Sequence, residues 1–312
     1  MTSPKPVATR ESFGQALADR AERYPEVVVL DADLSKSTRT EIFAKRFPDR
    51  FFQMGIAEQH MLGVAAGLAM SGKTAFCASF GCFLAGRFET IKMSVAYSEA
   101  NVKIVGTHAG VAVGPDGYSQ MALEDLSLLR SLPTMQVFQP ADDVESASLL
   151  DYLCQTRGPA YIRLTRHNVP QVHGADYRFV PGKLDPLTEG DDVALFASGA
   201  TVSTCLAAAE LLQREGLSVA VVNVPSIKPV DRQGLLHWGK RVRQLVTVED
   251  HNVHGGLGSA VAEVIASGRC APLYIHGIQD AFGESATQAE LYRKHRLDGP
   301  GIAEVVREQL ER

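Results

Sequence analysis

The chain has 312 residues, of which 45% are hydrophobic and 21% charged, and a formal net charge of -5. That length suits two α/β domains better than one, and the composition is that of a globular protein with ample core. Slight acidity and the lack of a Lys/Arg run argue against a nucleic-acid or anionic-membrane surface, since both need clustered basic charge; the longest basic cluster, Arg293 to Arg296, is short.

The N-terminus has no apolar leader core, and no apolar run approaches the ~18 residues of a spanning helix, so the expected location is cytoplasmic. Cys77, Cys82, Cys154, Cys205 and Cys270 are odd in number and form no CxxC pair. They read as buried thiols in a reducing compartment rather than disulfides or metal ligands.

In chain order, the spacing predicts a helix over Ser12–Tyr24 and a buried strand Val27–Leu30 that ends at Asp31. A nearly all-apolar helix, Ala57–Met70, follows; its small residues Gly63, Ala65, Ala66 and Gly67 permit close packing, and its composition predicts burial. Thr74–Ala78, Val102–Thr107, Gln136–Phe138 and Ala160–Leu164 read as strands, with helices at Arg87–Tyr97 and Val144–Gln155. Such alternation implies right-handed βαβ units and a mainly parallel sheet. Pro170, Gly174, Pro181, Gly182, Pro186 and Gly190 break the pattern over about 168–190, which predicts a connection between domains. A second α/β unit follows: strand Val193–Ala197, helix Thr201–Glu215, strands Ser218–Asn223 and Gln244–Glu249, helix Gly258–Ala266 and strand Leu273–His276. The expected fold class is therefore α/β, with domains at 1–180 and 187–312.

Glu58 stands at the start of the apolar helix, where the dipole and unpaired amides favour a carboxylate. It is either an ordinary N-terminal charge or, at the edge of a core, a carboxyl with a tuned pKa able to bond a ligand. Ala32–Ser37 reads as a strand-end turn with a helix cap, in the position where parallel α/β sheets place ligands. Phe80 and Phe83 fit core packing or the wall of a flat ring. His108 ends a strand before a Gly-rich loop, Gly114-Pro115-Asp116-Gly117-Tyr118-Ser119-Gln120; a structural role and a site role both suit it. Arg10 and Arg166 fit surface ion pairs or a forked anion clamp. His251 and His254 lack further nearby ligands, and Gly255, Gly256 and Gly258 beside them suit close backbone packing. No metal site is expected.

Phe52–Gly72 (FQMGIAEQHMLGVAAGLAMSG) closely resembles the core motif of the transketolase and deoxyxylulose-phosphate synthase family. Ala32-Asp33-Leu34-Ser35-Lys36-Ser37, Phe80-Gly81-Cys82-Phe83-Leu84, Thr107-His108-Ala109-Gly110, Leu164-Thr165-Arg166, Glu249-Asp250-His251 and the tail Phe282–Ala286 agree, so the likeness runs over nearly the whole chain. The resemblance implies that Glu58 bonds N1′ of the thiamine aminopyrimidine and promotes the tautomer that activates the cofactor, whose chemistry the protein tunes. It places Asp33, Leu34, Ile56, Phe80 and Phe83 against the cofactor. It assigns Arg10, Ser37, His108, Asp116, Gln120 and Arg166 to substrate, with Glu58 and His108 catalytic. Two departures stand out. Gln120 falls where full-length transketolases carry a catalytic histidine, and a glutamine is neither acid nor base. Gly86 falls where they carry a second stacking aromatic.

The Gly-Asp-Gly motif and later asparagines that hold diphosphate and magnesium in full-length transketolases are absent from this sequence. The chain begins just before the Arg10 segment. It therefore reads as a subunit of a split transketolase, with thiamine diphosphate and Mg2+ bound mainly by a partner chain, an α2β2 assembly and sugar phosphates as substrates. The implied reaction moves a two-carbon ketol unit from a ketose phosphate to an aldose. The beta subunit of a 2-oxo-acid dehydrogenase, an enzyme for an unusual sugar, and a non-enzymatic regulatory subunit on the same plan are the other readings; function belongs to the site, not the fold.

Overall fold

The structure, a computed structural model, describes residues 5–311. Internal contacts divide the chain into two compact units: residues up to Ala109 with Leu128–Phe179, and Gly110–Ser127 with the chain from Val180 on.

The first unit contains α1 (Thr9–Arg20), β1 (Val27–Asp31), α2 (Ser35–Thr38), α3 (Glu41–Arg46), β2 (Phe51–Gln53), α4 (Glu58–Met70), β3 (Thr74–Phe80), α5 (Gly81–Ala85), α6 (Phe88–Thr90) and β4 (Val102–Thr107). After α7 (Asp125–Ser131), which the division cuts, come β5 (Gln136–Phe138), α8 (Asp143–Gln155) and β6 (Ala160–Arg163). Its strands run in the order β5-β6-β4-β3-β1-β2, and each of these neighbours is parallel. Continuous apolar strands such as VVVLD of β1, buried at every position, are what a sheet covered on both faces requires. One core cluster joins Phe13 and Leu17 of α1 to Leu149, Leu150 and Leu153 of α8, with Val27, Val29 and Phe76 of the sheet.

Two helices differ from expectation. The first starts at Thr9, not Ser12, and stops at Arg20. The expected helix 87–97 is α6 followed by a π-helical turn, Ile91–Ala96, whose wider period turns Ile91, Val95 and Ala96 to the core.

The larger correction concerns α4. Its Met61, Leu62, Ala65, Ala66 and Ala69 are buried, but Gln59, His60, Gly63, Gly67 and Met70 face outward. A helix lacking a polar side is buried all round only if something covers its second face, and one sheet covers one face. Ile56, just before it, is 84% exposed.

In the second unit, β7 (Asp185–Thr188), β8 (Val193–Ala197), α9 (Thr201–Arg214), β9 (Val219–Asn223), β10 (Ser226–Lys228) and α10 (Arg232–Arg241) precede β11 (Gln244–Asn252), α11 (Leu257–Ile265), β12 (Leu273–Ile278), α12 (Gln288–Lys294) and α13 (Gly299–Leu310). The sheet order is β12-β11-β8-β9-β7, parallel except for β7. The predicted connection thus contains an edge strand, where Pro186 is tolerated because its missing N–H is not needed. β11 runs three residues beyond the predicted end at Glu249, so Asp250, His251 and Asn252 also lie on the strand.

None of the five cysteines forms a disulfide among the described residues; Cys77, Cys154 and Cys205 are buried as expected, whereas Cys82 and Cys270 are only partly buried. Among the described residues no group of His, Cys, Asp and Glu could hold a metal, and no helix is long and apolar enough to cross a membrane.

Candidate active site

The C-terminal ends of β1, β3, β4 and β6 lie side by side in the first sheet, and each delivers predicted site residues. At the end of β1 the buried carboxylate of Asp31 organises the next turn. It accepts the Leu34 N–H at 2.6 Å and the hydroxyls of Thr38 and Thr40 at 2.7 and 2.9 Å. Burial pushes the Asp31 pKa up, while those hydrogen bonds oppose the shift. Asp33 takes the left-handed backbone (φ 63°), and its N–H donates to Gln53 Oε1 at 2.7 Å. Its side chain is exposed, and Leu34 and Ser37 are half-buried.

Glu58 is the first residue of α4 and only 6% exposed, at a helix end whose dipole favours its charge. Ser79 of β3 donates its hydroxyl to Glu58 Oε1 at 3.3 Å. Next along the chain, Phe80 stacks on Phe83 (centroids 5.5 Å apart, planes at 11°) and on His108 (3.8 Å, 20°). Phe83 remains partly open. A buried carboxylate and a stacked aromatic wall from one strand end suit a flat, nitrogen-bearing ring: the acid bonds a ring nitrogen and the aromatic takes a face. The aminopyrimidine of thiamine diphosphate fits that description.

Arg10 and Arg166 are brought together by their neighbours. The Thr9 N–H donates to Thr165 Oγ1 at 3.1 Å, and the Thr165 N–H to Thr9 Oγ1 at 2.8 Å. This reciprocal clasp joins the start of α1 to the segment after β6, so the next residue on each side is an arginine. One Arg10 Nη donates to the Ser37 carbonyl at 2.7 Å and to His108 Nε2 at 3.1 Å. Its Nε is buried with no partner. Burial, then Arg39 and Arg166, pull its pKa down, although a guanidinium stays charged.

Because arginine only donates, His108 Nε2 must accept, which leaves the ring proton on Nδ1. Nδ1 lies 2.9 Å from Thr107 Oγ1, whose own proton can go to the Ser79 carbonyl at 3.5 Å. Burial, reinforced by Arg10 and Arg166, drives the His108 pKa down to about 3. His108 is therefore a neutral imidazole at physiological pH.

The structure thus gathers Arg10, Ser37, Phe80, Phe83, His108 and Arg166, with Glu58 tied to the same strand end through Ser79. Asp116 and Gln120 belong to the second unit, on successive tight turns Val111–Asp116 and Tyr118–Gln120. Asp116 is exposed, and the Gln120 amide donates to Ser119 Oγ at 3.3 Å. Sequence reasoning passed over Asp31, Ser79, Thr107 and the Thr9–Thr165 clasp. Only Asp31, a charge ending an apolar run before two threonines, left a visible signal.

A carboxylate at a helix start, an aromatic wall and a cationic corner thus lie close to the parallel strand ends of the first unit of a two-unit α/β chain. Residues 5–171 match the transketolase pyrimidine-binding domain, and 182–302 the transketolase C-terminal domain. The chain belongs to the transketolase family and corresponds to its C-terminal section. It is 38% identical to one of the subunits of the apulose-4-phosphate transketolase of Actinobacillus succinogenes, over 95% of this chain and 94% of that one. It is 37% identical to human transketolase, covering 96% of this chain but 49% of that protein. The solved structure of a split gene transketolase, an inactive beta4 tetramer, is 44% identical with a TM-score of 0.89, covering 97% of this chain and 98% of that chain. These matches do not favour the 2-oxo-acid dehydrogenase reading.

Proposed function

We propose that the chain is one subunit of a thiamine-diphosphate-dependent split transketolase, which moves a two-carbon ketol unit from a ketose phosphate to an aldose. The observation that carries this reading is Arg10. It is a half-buried cation that donates to two neutral acceptors, the Ser37 carbonyl and His108, and it forms no salt bridge among the described residues. With Arg166 nearby, such a corner calls for an anion, and a sugar phosphate supplies one.

The cofactor, when bound, supplies the nucleophile that breaks and remakes the carbon–carbon bond. This chain's residues bind, orient and shield. Glu58 bonds the aminopyrimidine, Phe83 and Phe80 wall it, and Asp33, Leu34 and Ile56 border it. Neutral His108, with Arg10, Ser37 and Arg166, holds the sugar and its phosphate; Asp116 and Gln120 orient hydroxyl or carbonyl groups.

A partner subunit with the diphosphate site and Mg2+ completes the enzyme. Three observations support a partner: the outward face of α4 next to Glu58, exposed Ile56, and the match to about half of human transketolase. An α2β2 assembly fits this division.

The test is ketol transfer from xylulose 5-phosphate to ribose 5-phosphate by this chain with a diphosphate-binding subunit, thiamine diphosphate and magnesium. Activity is expected from the complete mixture and from neither subunit alone. Glu58→Ala should lower kcat at least about 100-fold, the usual scale for losing an acid–base group. A Glu58→Ala complex as active as the parent would refute the role given to that carboxylate.

A further inference from the structure

The loop that carries Asp116 and Gln120 is pinned at its base by a buried carboxylate of the second unit. Asp250, near the end of β11, is 5% exposed. It accepts the N–H of Val111 at 2.8 Å and of Ala112 at 3.3 Å, and the hydroxyl of Tyr292 in α12 at 3.1 Å. The fit leaves no slack: a Cβ at Gly110 would stand 2.2 Å from Asp250 Oδ2. The base of the loop is closed by the Gly110 N–H on the Ala122 carbonyl at 3.0 Å, and by the Asn252 N–H on the Leu123 carbonyl at 2.9 Å.

The adjacent residue does something different. Glu249 points to the opposite face of the strand, as alternation requires, and accepts the Leu257 and Gly258 N–H groups at 2.7 and 2.9 Å at the start of α11. Asp250 is the one seen to accept the loop amides of Val111 and Ala112. The loop itself needs holding, because Gly110, Gly114 and Gly117 all have φ near +80° (83°, 79° and 81°), a backbone with little intrinsic stiffness. Its far end rests on the 282–285 segment: the Tyr118 and Phe282 rings are 4.7 Å apart, and a Cβ on Gly117 would meet Ser285 Oγ at 2.5 Å.

We propose that Asp250, braced by Tyr292, is a positioning residue for donor-sugar recognition: it fixes Gly110–Ala112 and thereby sets where Asp116 and Gln120 present their side chains. The inference rests on the substrate role proposed above for Asp116 and Gln120.

The experiment is a double-mutant cycle in the complete two-subunit complex, using Asp250→Asn and Asp116→Ala, with Tyr292→Phe as a milder second probe. Asp250→Asn should lower kcat/KM for the ketose about tenfold and Tyr292→Phe about threefold, the scale of lost charge-assisted hydrogen bonds. Asp116→Ala should cost much less in the Asp250→Asn background than alone, because the two act on one contact. Thiamine diphosphate affinity should stay the same. Additive losses, or an unchanged kcat/KM, overturn the proposal, and if Asp250→Asn does not fold, Tyr292→Phe carries the cycle by the same criteria. Amide exchange separates this proposal from the function beneath it. If the parent complex transfers no ketol unit, the function falls. Loss of protection at Val111 and Ala112 in Asp250→Asn, with β11 still protected, then upholds the anchoring, and unchanged protection overturns it.

Discussion

Two loops that carry proposed ligand residues are each held by a buried aspartate, yet the two anchors are built differently. Asp31 gathers Leu34, Thr38 and Thr40, partners 3, 7 and 9 residues along the chain. Asp250 gathers Val111 and Ala112 from 139 and 138 residues away, with Tyr292 behind it. Asp31 completes a local turn that folds with its own strand. Asp250 holds a loop whose anchor lies far along the chain in the second unit. The first is a part of a βα connection; the second is a docking event between distant pieces of chain.

The sharpest way to break this comparison is Asp31→Ala. It strips one backbone amide and two buried hydroxyls of their acceptor at once, and each unpaired group costs about 1–3 kcal/mol. A loss of about 3 kcal/mol or more of unfolding free energy in urea is expected, together with loss of the ordered 31–40 turn. A loss near zero would mean that the turn holds itself without its carboxylate.

Gly110→Ala is the matching test of the distant anchor. A left-handed φ of 83° and the 2.2 Å approach to Asp250 both penalise a Cβ, so a destabilisation of about 2 kcal/mol is expected. Unlike Asp31→Ala, it should loosen the 110–122 loop while leaving the first sheet protected in amide exchange. Equal loosening of both loops would erase the distinction.

The smallest effect near neutrality concerns His108, beside the first loop. Its folded pKa of about 3 lies below the ordinary 6.5, so between those values the unfolded chain binds more protons. Stability should therefore be flat above about 6.5 and fall as the pH drops toward about 3. Ring titration by NMR checks this directly: a His108 midpoint near 6.5 would contradict the burial and the two arginines.

The legible part of the fold was the part set by short-range pattern. Val193–Ala197, Val102–Thr107 and Gln136–Phe138 are strands at the bounds their apolar runs predict. β7 was hidden because Pro186 reads as a break, and only its place at the sheet edge removes the need for its N–H. The end of β11 was hidden because Asp250, His251 and Asn252 are charged or polar, and the partners of Asp250 lie in α12 and a loop far away in sequence. In the site, the motif around Glu58 was plain, whereas Ser79 and Thr107 look like ordinary strand residues until their hydroxyls are seen on Glu58 and His108.

By itself, the sequence determined the alternation of strands and helices, the membership of the transketolase family and the placing of Glu58 at the start of a helix. Those depend on side-chain periodicity and on residue types a few positions apart. Only the tertiary structure decided that α4 keeps an open face, that Thr9 and Thr165 set Arg10 and Arg166 together across 156 residues, that His108 is neutral, and that the Asp116 loop belongs to the second unit. Each of these depends on burial or on a hydrogen bond between distant parts of the chain. No local pattern encodes which groups lose water together.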